Sequence, residues 1–157
     1  MLIIYNNPIG GFIMAIEKLN AELKLLDGVK VEGSSQNFRI TMDQAKEAGG
    51  NNEGMCPGEA FLNALGGCKC MVAKKLSESA NIKLKELRIN LEGEIDSEGL
   101  TGETKKIGFS SIKTKYFISA DNSEEEINNF INKIESNCPI KDTIENDPKM
   151  DYELNIL

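Results

Sequence analysis

An α+β fold is predicted by three features of the 157-residue sequence. Short stretches alternate apolar with polar residues, two longer segments repeat apolar residues every three or four positions, and the strands come in groups instead of alternating one for one with helices. The predicted order is βββ-α-ββ-α-β, within one domain over residues 15–157.

Leu19, Ala21, Leu23 and Leu25 alternate with polar residues, as do Val29 and Val31, then Phe38, Ile40 and Met42. With Asp27-Gly28 and Gly33-Ser34 as turns, this reads as three antiparallel strands. Ile16, Leu19, Leu23 and Leu26 also fit a helical stripe, so pattern alone leaves the first strand open. The segment from Ala45 to Gly54, rich in glycine, asparagine and charge, is a loop.

Pro57 suits the first turn of a helix, and Phe61, Leu62, Leu65, Val72, Ala73 and Leu76 carry the helical spacing to about Ser79. Two long strands follow, Leu84 to Ile95 and Lys106 to Ser119, with a turn around Asp96-Ser97-Glu98-Gly99. Ser123 and Glu126 have capping-box spacing ahead of Ile127, Phe130, Ile131 and Ile134, so a second helix starts there and ends near Ser136. A short helix is predicted from Pro139 to Glu145. Met150, Tyr152, Leu154 and Ile156 alternate as a closing strand.

Composition excludes several function classes. A net charge of −7 with two arginines, Arg39 and Arg88, and no basic cluster would repel a phosphate backbone, so nucleic acid is not an expected partner. No apolar run approaches the roughly 20 residues that cross a bilayer, and Met1 to Tyr5 is too short and lacks the basic region of a secretory signal. The expected location is the cytoplasm. With no histidine in the chain, Ser-His-Asp sites, Cys-His sites and histidine metal sites are all removed.

What remains for chemistry is the four cysteines. Cys56, Cys68, Cys70 and Cys138 are separated by 11, 1 and 67 residues, unlike the paired C-x₂₋₄-C knuckles of structural zinc. Cys70 lies about 200° around the helix from Cys68, so those two sulfurs cannot pair while the helix is intact. Cys68 shares an apolar face with Ala64, Leu65, Met71 and Val72, a setting in which most cysteines are core. Against that reading stand Gly66-Gly67, each costing about 1 kcal/mol relative to alanine inside a helix. Such a pair calls for a neighbour very close to the backbone. Cys138, ahead of Pro139, falls at the N-cap of the short helix, where the dipole and free N–H groups favour a thiolate. Glu59, in the first turn of the long helix, by default complements the helix dipole.

Three runs together resemble the OsmC/Ohr family of thiol peroxidases: Gly49-Gly50 with Gly54-Met55-Cys56-Pro57-Gly58-Glu59, then Ala64-Leu65-Gly66-Gly67-Cys68, then Asn137-Cys138-Pro139-Ile140. The likeness runs from about Ala15 to Leu157, includes the order of strands, and leaves residues 1–14 as an N-terminal extension. It implies an intertwined homodimer, with antiparallel sheets from both chains around two central helices and active sites at the interface. It also implies that Cys68 attacks an organic hydroperoxide, that Cys138 resolves the sulfenic acid as a disulfide, and that Glu59 orients an activating arginine. No cofactor is implied beyond an external dithiol reductant of lipoyl type. The early turn where peroxidase branches carry that arginine offers only Lys30, and Arg39 is the substitute in the N-terminal region. Met55, Cys56 and Gly58 also depart from the family pattern. A non-enzymatic redox sensor or small-ligand-binding dimer is the alternative, and a structural zinc protein a third reading.

Overall fold

A computed structural model describes residues 16–95 and 107–157. The extension and the Asp96–Gly99 turn lie outside the described residues. The chain divides into two compact units, Met1–Gly54 and Met55–Leu157.

The first unit is an antiparallel meander of β1 (Glu22–Leu25), β2 (Val31–Ser35) and β3 (Phe38–Met42). The segment that also fits a helical stripe is therefore a strand, shorter than its alternation predicts. Gly28, at φ +61°, makes the first turn as expected. The second turn falls at Gln36-Asn37, not at Gly33-Ser34, with Gln36 in the left-handed region at φ 54°. Gly33 instead lies mid-strand between Leu23 and Ile40, where an added Cβ would come within 3.1 Å of Ile40 Cγ2. The register collects Leu23, Leu25, Val31, Ile40 and Met42 on one face and Lys24, Glu32, Arg39 and Thr41 on the other.

The loop after β3 contains one 3₁₀ turn, Lys46–Ala48. Buried Asp43 organises it, its carboxylate accepting the backbone N–H groups of Gln44, Asn51 and Glu53 at 2.8, 2.9 and 3.1 Å. These donors, Glu53 foremost, hold Asp43 below the usual carboxylate range.

The second unit packs α1 (Pro57–Ser79) and α2 (Glu124–Ser136) against a hairpin of β4 (Leu84–Ile95) and β5 (Phe109–Ala120), and adds α3 (Pro139–Glu145). Each helix starts as its sequence predicts. Cys56 is the N-cap of α1 with Pro57 at N1, Ser123 and Glu126 close the capping box of α2, and Cys138 caps α3 ahead of Pro139. In the hairpin, Leu87 faces Ile118, Ile89 faces Tyr116 and Leu91 faces Thr114. Ala73, Ile82, Phe130 and Ile134 form the buried core between helices and hairpin. Burying Phe130 and Ile134 contributes about 1.5–3 kcal/mol each.

The expected closing strand does not form: residues 147–157 make no ladder in this chain, and Tyr152 is 96% exposed. A strand needs an edge to pair with, and among the described residues no edge receives it. No described helix is long and apolar enough to cross a membrane.

Candidate redox site of Cys68 and Cys138

Cys68 sits in the middle of α1, and Cys138 follows the end of α2 at the N-cap of α3. Packing of α1 on α2 and α3 brings their sulfurs to 3.1 Å, although 69 residues separate them in the chain. Cys68 is half-buried and Cys138 is 2% exposed. All four cysteines are free thiols, and among the described residues no group of cysteine and carboxylate side chains converges to hold a metal ion.

The sequence predicts that the N-cap position lowers the Cys138 pKa; the structure reverses that expectation. Burial pushes the Cys138 thiol up, and the neighbouring Cys68 sulfur adds to the rise. The N–H groups of Lys141 and Ile140 oppose this, but a helix of seven residues offers too little to offset desolvation. Cys138 is therefore held as the protonated partner, its S–H donating to the Cys68 sulfur.

Cys68 opens onto a hollow of about 560 Å³ lined by Ala64, Gly67, Met71, Val72 and Pro139, with Asn63 and Lys75 as its polar members. The apolar face expected around Cys68 is thus only partly buried: Leu65 is core, but Met71 is 76% exposed. The two glycines behave differently. A Cβ on Gly66 would stand 2.7 Å from Leu91 Cδ1, so β4 comes close there, whereas one on Gly67 would meet nothing within 4 Å. Among the described residues, the close neighbour expected for both is supplied only at Gly66.

Glu59 accepts the backbone N–H of Cys56 at 2.8 Å, so its carboxylate serves the start of α1. Arg39 belongs to the first unit, where its guanidinium donates to Glu32 across the strands at 2.7 Å with the side chain 70% exposed. Arg88, in the second unit, lies over the Phe117 ring at 4.5 Å on the outer face of the hairpin. Cys56 stays at the head of α1, and Cys70 lies near enough to Tyr116 to raise the phenol's pKa further.

A polar cluster behind the cysteines is absent from the sequence reading. Lys69 Nζ donates to Glu135 Oε1 and Thr114 Oγ1, both at 2.7 Å, and Tyr116 OH donates to the same Glu135 oxygen at 2.6 Å. A signal existed: Leu65, Lys69, Ala73 and Ser77 recur every four residues along the buried side of α1, and a lysine on such a stripe demands a partner.

Residues 49–153 match the family model described as OsmC-like protein. The chain belongs to the OsmC family. Its curated relatives include the hydroperoxide reductase of Mycoplasma genitalium, 27% identical over 128 residues that cover 82% of this chain and 87% of that protein. The hydroperoxide reductase of Mycoplasma pneumoniae is 25% identical over 122 residues, covering 78% of this chain and 83% of that one. Among solved structures, an OsmC-like protein from Mycoplasma pneumoniae superposes with a TM-score of 0.74 at 25% identity, over 83% of this chain and 89% of that one. An organic hydroperoxide resistance protein from Legionella pneumophila has a TM-score of 0.62 at 16% identity, covering 85% and 93%, and so shares the fold. The α+β architecture expected from sequence is the architecture of these proteins.

Proposed function

We propose that this OsmC-family protein is a thiol-dependent peroxidase that reduces organic hydroperoxides through Cys68 and Cys138. The observation that carries the reading is the 3.1 Å approach of a half-buried thiol at an apolar hollow to a second, buried thiol. The names of its curated relatives support a peroxide substrate, and the lining of the hollow favours one that carries an alkyl group.

The Cys68 thiolate attacks the outer peroxide oxygen, the O–O bond breaks, and the alkoxide takes a proton to leave as alcohol while Cys68 becomes a sulfenic acid. Cys138 then attacks the Cys68 sulfur, the S–O bond breaks, and water leaves as the disulfide forms. An external dithiol of lipoyl type returns the pair to thiols by exchange and is itself oxidised to a disulfide. The raised pKa of Cys138 suits this division of work, because a protonated Cys138 does not compete for the peroxide. In this reading Arg39 is the activating cation, oriented by Glu59, in a homodimer of the cytoplasm whose second copy covers the open face at Gly67 and Met71.

Turnover of an alkyl hydroperoxide with lipoamide as reductant tests the proposal. Cys68→Ser should lose both oxidation and turnover. Cys138→Ser should keep the first step and accumulate a Cys68 sulfenic acid trapped by dimedone. Oxidised wild-type protein that joins Cys68 to Cys56 or Cys70, and not to Cys138, would defeat the proposal. Stoichiometric oxidation without catalytic turnover would select the redox sensor.

A further inference from the structure

Nothing in the peroxidase steps uses Lys69, yet its side chain is only 4% exposed, an expensive position for a charge on a helix. Its partners lie on two other elements. Glu135 is in the last turn of α2 and Thr114 is on β5, while Tyr116, two residues along β5, donates to Glu135 and lies with its ring centroid 5.9 Å from Lys69 Nζ. Burial pushes Glu135 up, but the hydrogen bonds from Lys69 and Tyr116 outweigh it and bring the carboxyl below its usual range. Burial together with Glu135 drives Tyr116 up, so the phenol remains a donor. The cluster is thus a fully bonded ion pair in which every member has a partner.

Its place in the chain gives it a use. Lys69 immediately follows Cys68, and Glu135 precedes Cys138 by three residues. Lys69 and Glu135 both face a second hollow on the β5 side of α1, away from the hollow that Cys68 shares with Met71. Fastening Lys69 to Glu135 therefore fixes α1 against the end of α2 from behind, at the level where the sulfurs meet in front. Apolar packing of Ala73 on Phe130 and Ile134 resists separation of the helices but slides easily; a bonded charge pair is directional and sets their register.

We propose that the buried Lys69–Glu135 pair, with Thr114 and Tyr116, positions the Cys138 thiol against Cys68 and so sets the rate at which the two close into a disulfide. These are positioning residues, since their hydrogen bonds run among themselves and none goes to the reacting sulfurs. The proposal deepens the reading of the cysteines as a redox pair, and its test does not depend on peroxide chemistry.

Diamide takes two electrons and two protons from a pair of thiols, becoming the hydrazine as the disulfide forms, and it closes any dithiol held in contact. The decisive variant is Lys69→Met with Glu135→Gln, which removes both charges together and leaves Tyr116 an acceptor. Replacing both members of a buried pair avoids the stranded charge that a single replacement leaves. Diamide closure of Cys68 with Cys138, read by peptide mapping over time, should slow about 100-fold, the scale set by a displacement of around 1 Å between reacting groups. Alkylation of Cys68 by iodoacetamide, in a Cys138→Ser background, should keep its rate, which separates loss of register from general loosening. Closure at the wild-type rate in the double variant overturns the proposal. Should that variant fail to fold, Tyr116→Phe decides, because it deletes only the phenol's bond to Glu135: slower closure supports the proposal and an unchanged rate overturns it. Slow closure in the variant of a protein that turns over no peroxide leaves the positioning role standing while the peroxidase reading falls.

Discussion

The two units of this chain solve the same problem unequally. In the second unit, amphipathic helices cover one face of a hairpin, and Phe130, Ile134 and Ala73 are essentially removed from water. The first unit is a three-stranded meander with an equally clear apolar face, yet Leu23, Leu25 and Phe38 on it remain 59%, 65% and 76% exposed. Among its described residues the buried positions are Gly33 and Asp43, a glycine and a carboxylate. Strand pairing and turn chemistry therefore specify the meander without stabilising it much, because side chains that stay this exposed gain little from burial. An apolar sheet face of this kind marks a surface meant to be covered. The redox pair lies in the unit with the core, where two thiols can be held at a fixed distance.

The sharpest way to test that contrast is Phe130→Ala. It should destabilise the protein by about 3–5 kcal/mol, measured by denaturant unfolding, since it empties the centre of the only apolar core among the described residues. Phe38→Ala should have a far smaller effect on that midpoint in the isolated chain. A large loss at Phe38 would show that its face is covered in solution.

Within the first unit, local order should follow the Asp43 carboxylate. Because its folded pKa lies below the ordinary value, the stabilisation is present above the usual carboxylate range and is lost as pH falls through the depressed pKa. Hydrogen exchange at the Gln44, Asn51 and Glu53 amides should therefore lose protection on acidification, and Asp43→Asn should lose it already at neutral pH. Exchange in α1 should not follow either change.

Ser123→Ala removes the cap of α2 and should cost about 1 kcal/mol in thermal or denaturant unfolding. The smallest effect is expected at Gly67. In the chain alone Gly67→Ala meets open space and should stabilise α1 by up to about 1 kcal/mol. If a second copy packs on that face, the sign reverses and light scattering should show weaker association. Gly66→Ala, crowded by Leu91, should not show that dependence on concentration.

Much of this molecule was legible in its sequence. Pro57, the Ser123 and Glu126 pair, and Cys138-Pro139 mark three helix starts, because a cap is a contact among residues three or four apart and is read directly from their order. The hairpin and the meander follow from alternation for the same reason. Cys68 and Cys138 stood out through their family-like surroundings, and their contact was implied by that resemblance, not by spacing. Tertiary structure decided the rest. It placed the second meander turn at Gln36-Asn37, left residues 147–157 without a strand, and divided Gly66 from Gly67 by what lies beside each. It also reversed the expected pKa of Cys138 and matched Lys69 with Glu135, 66 residues away. In each of these the deciding quantity is burial or a partner distant in sequence. A helix N-terminus is written in a few neighbouring residues, but the desolvation that overrides it comes from everything packed around the site.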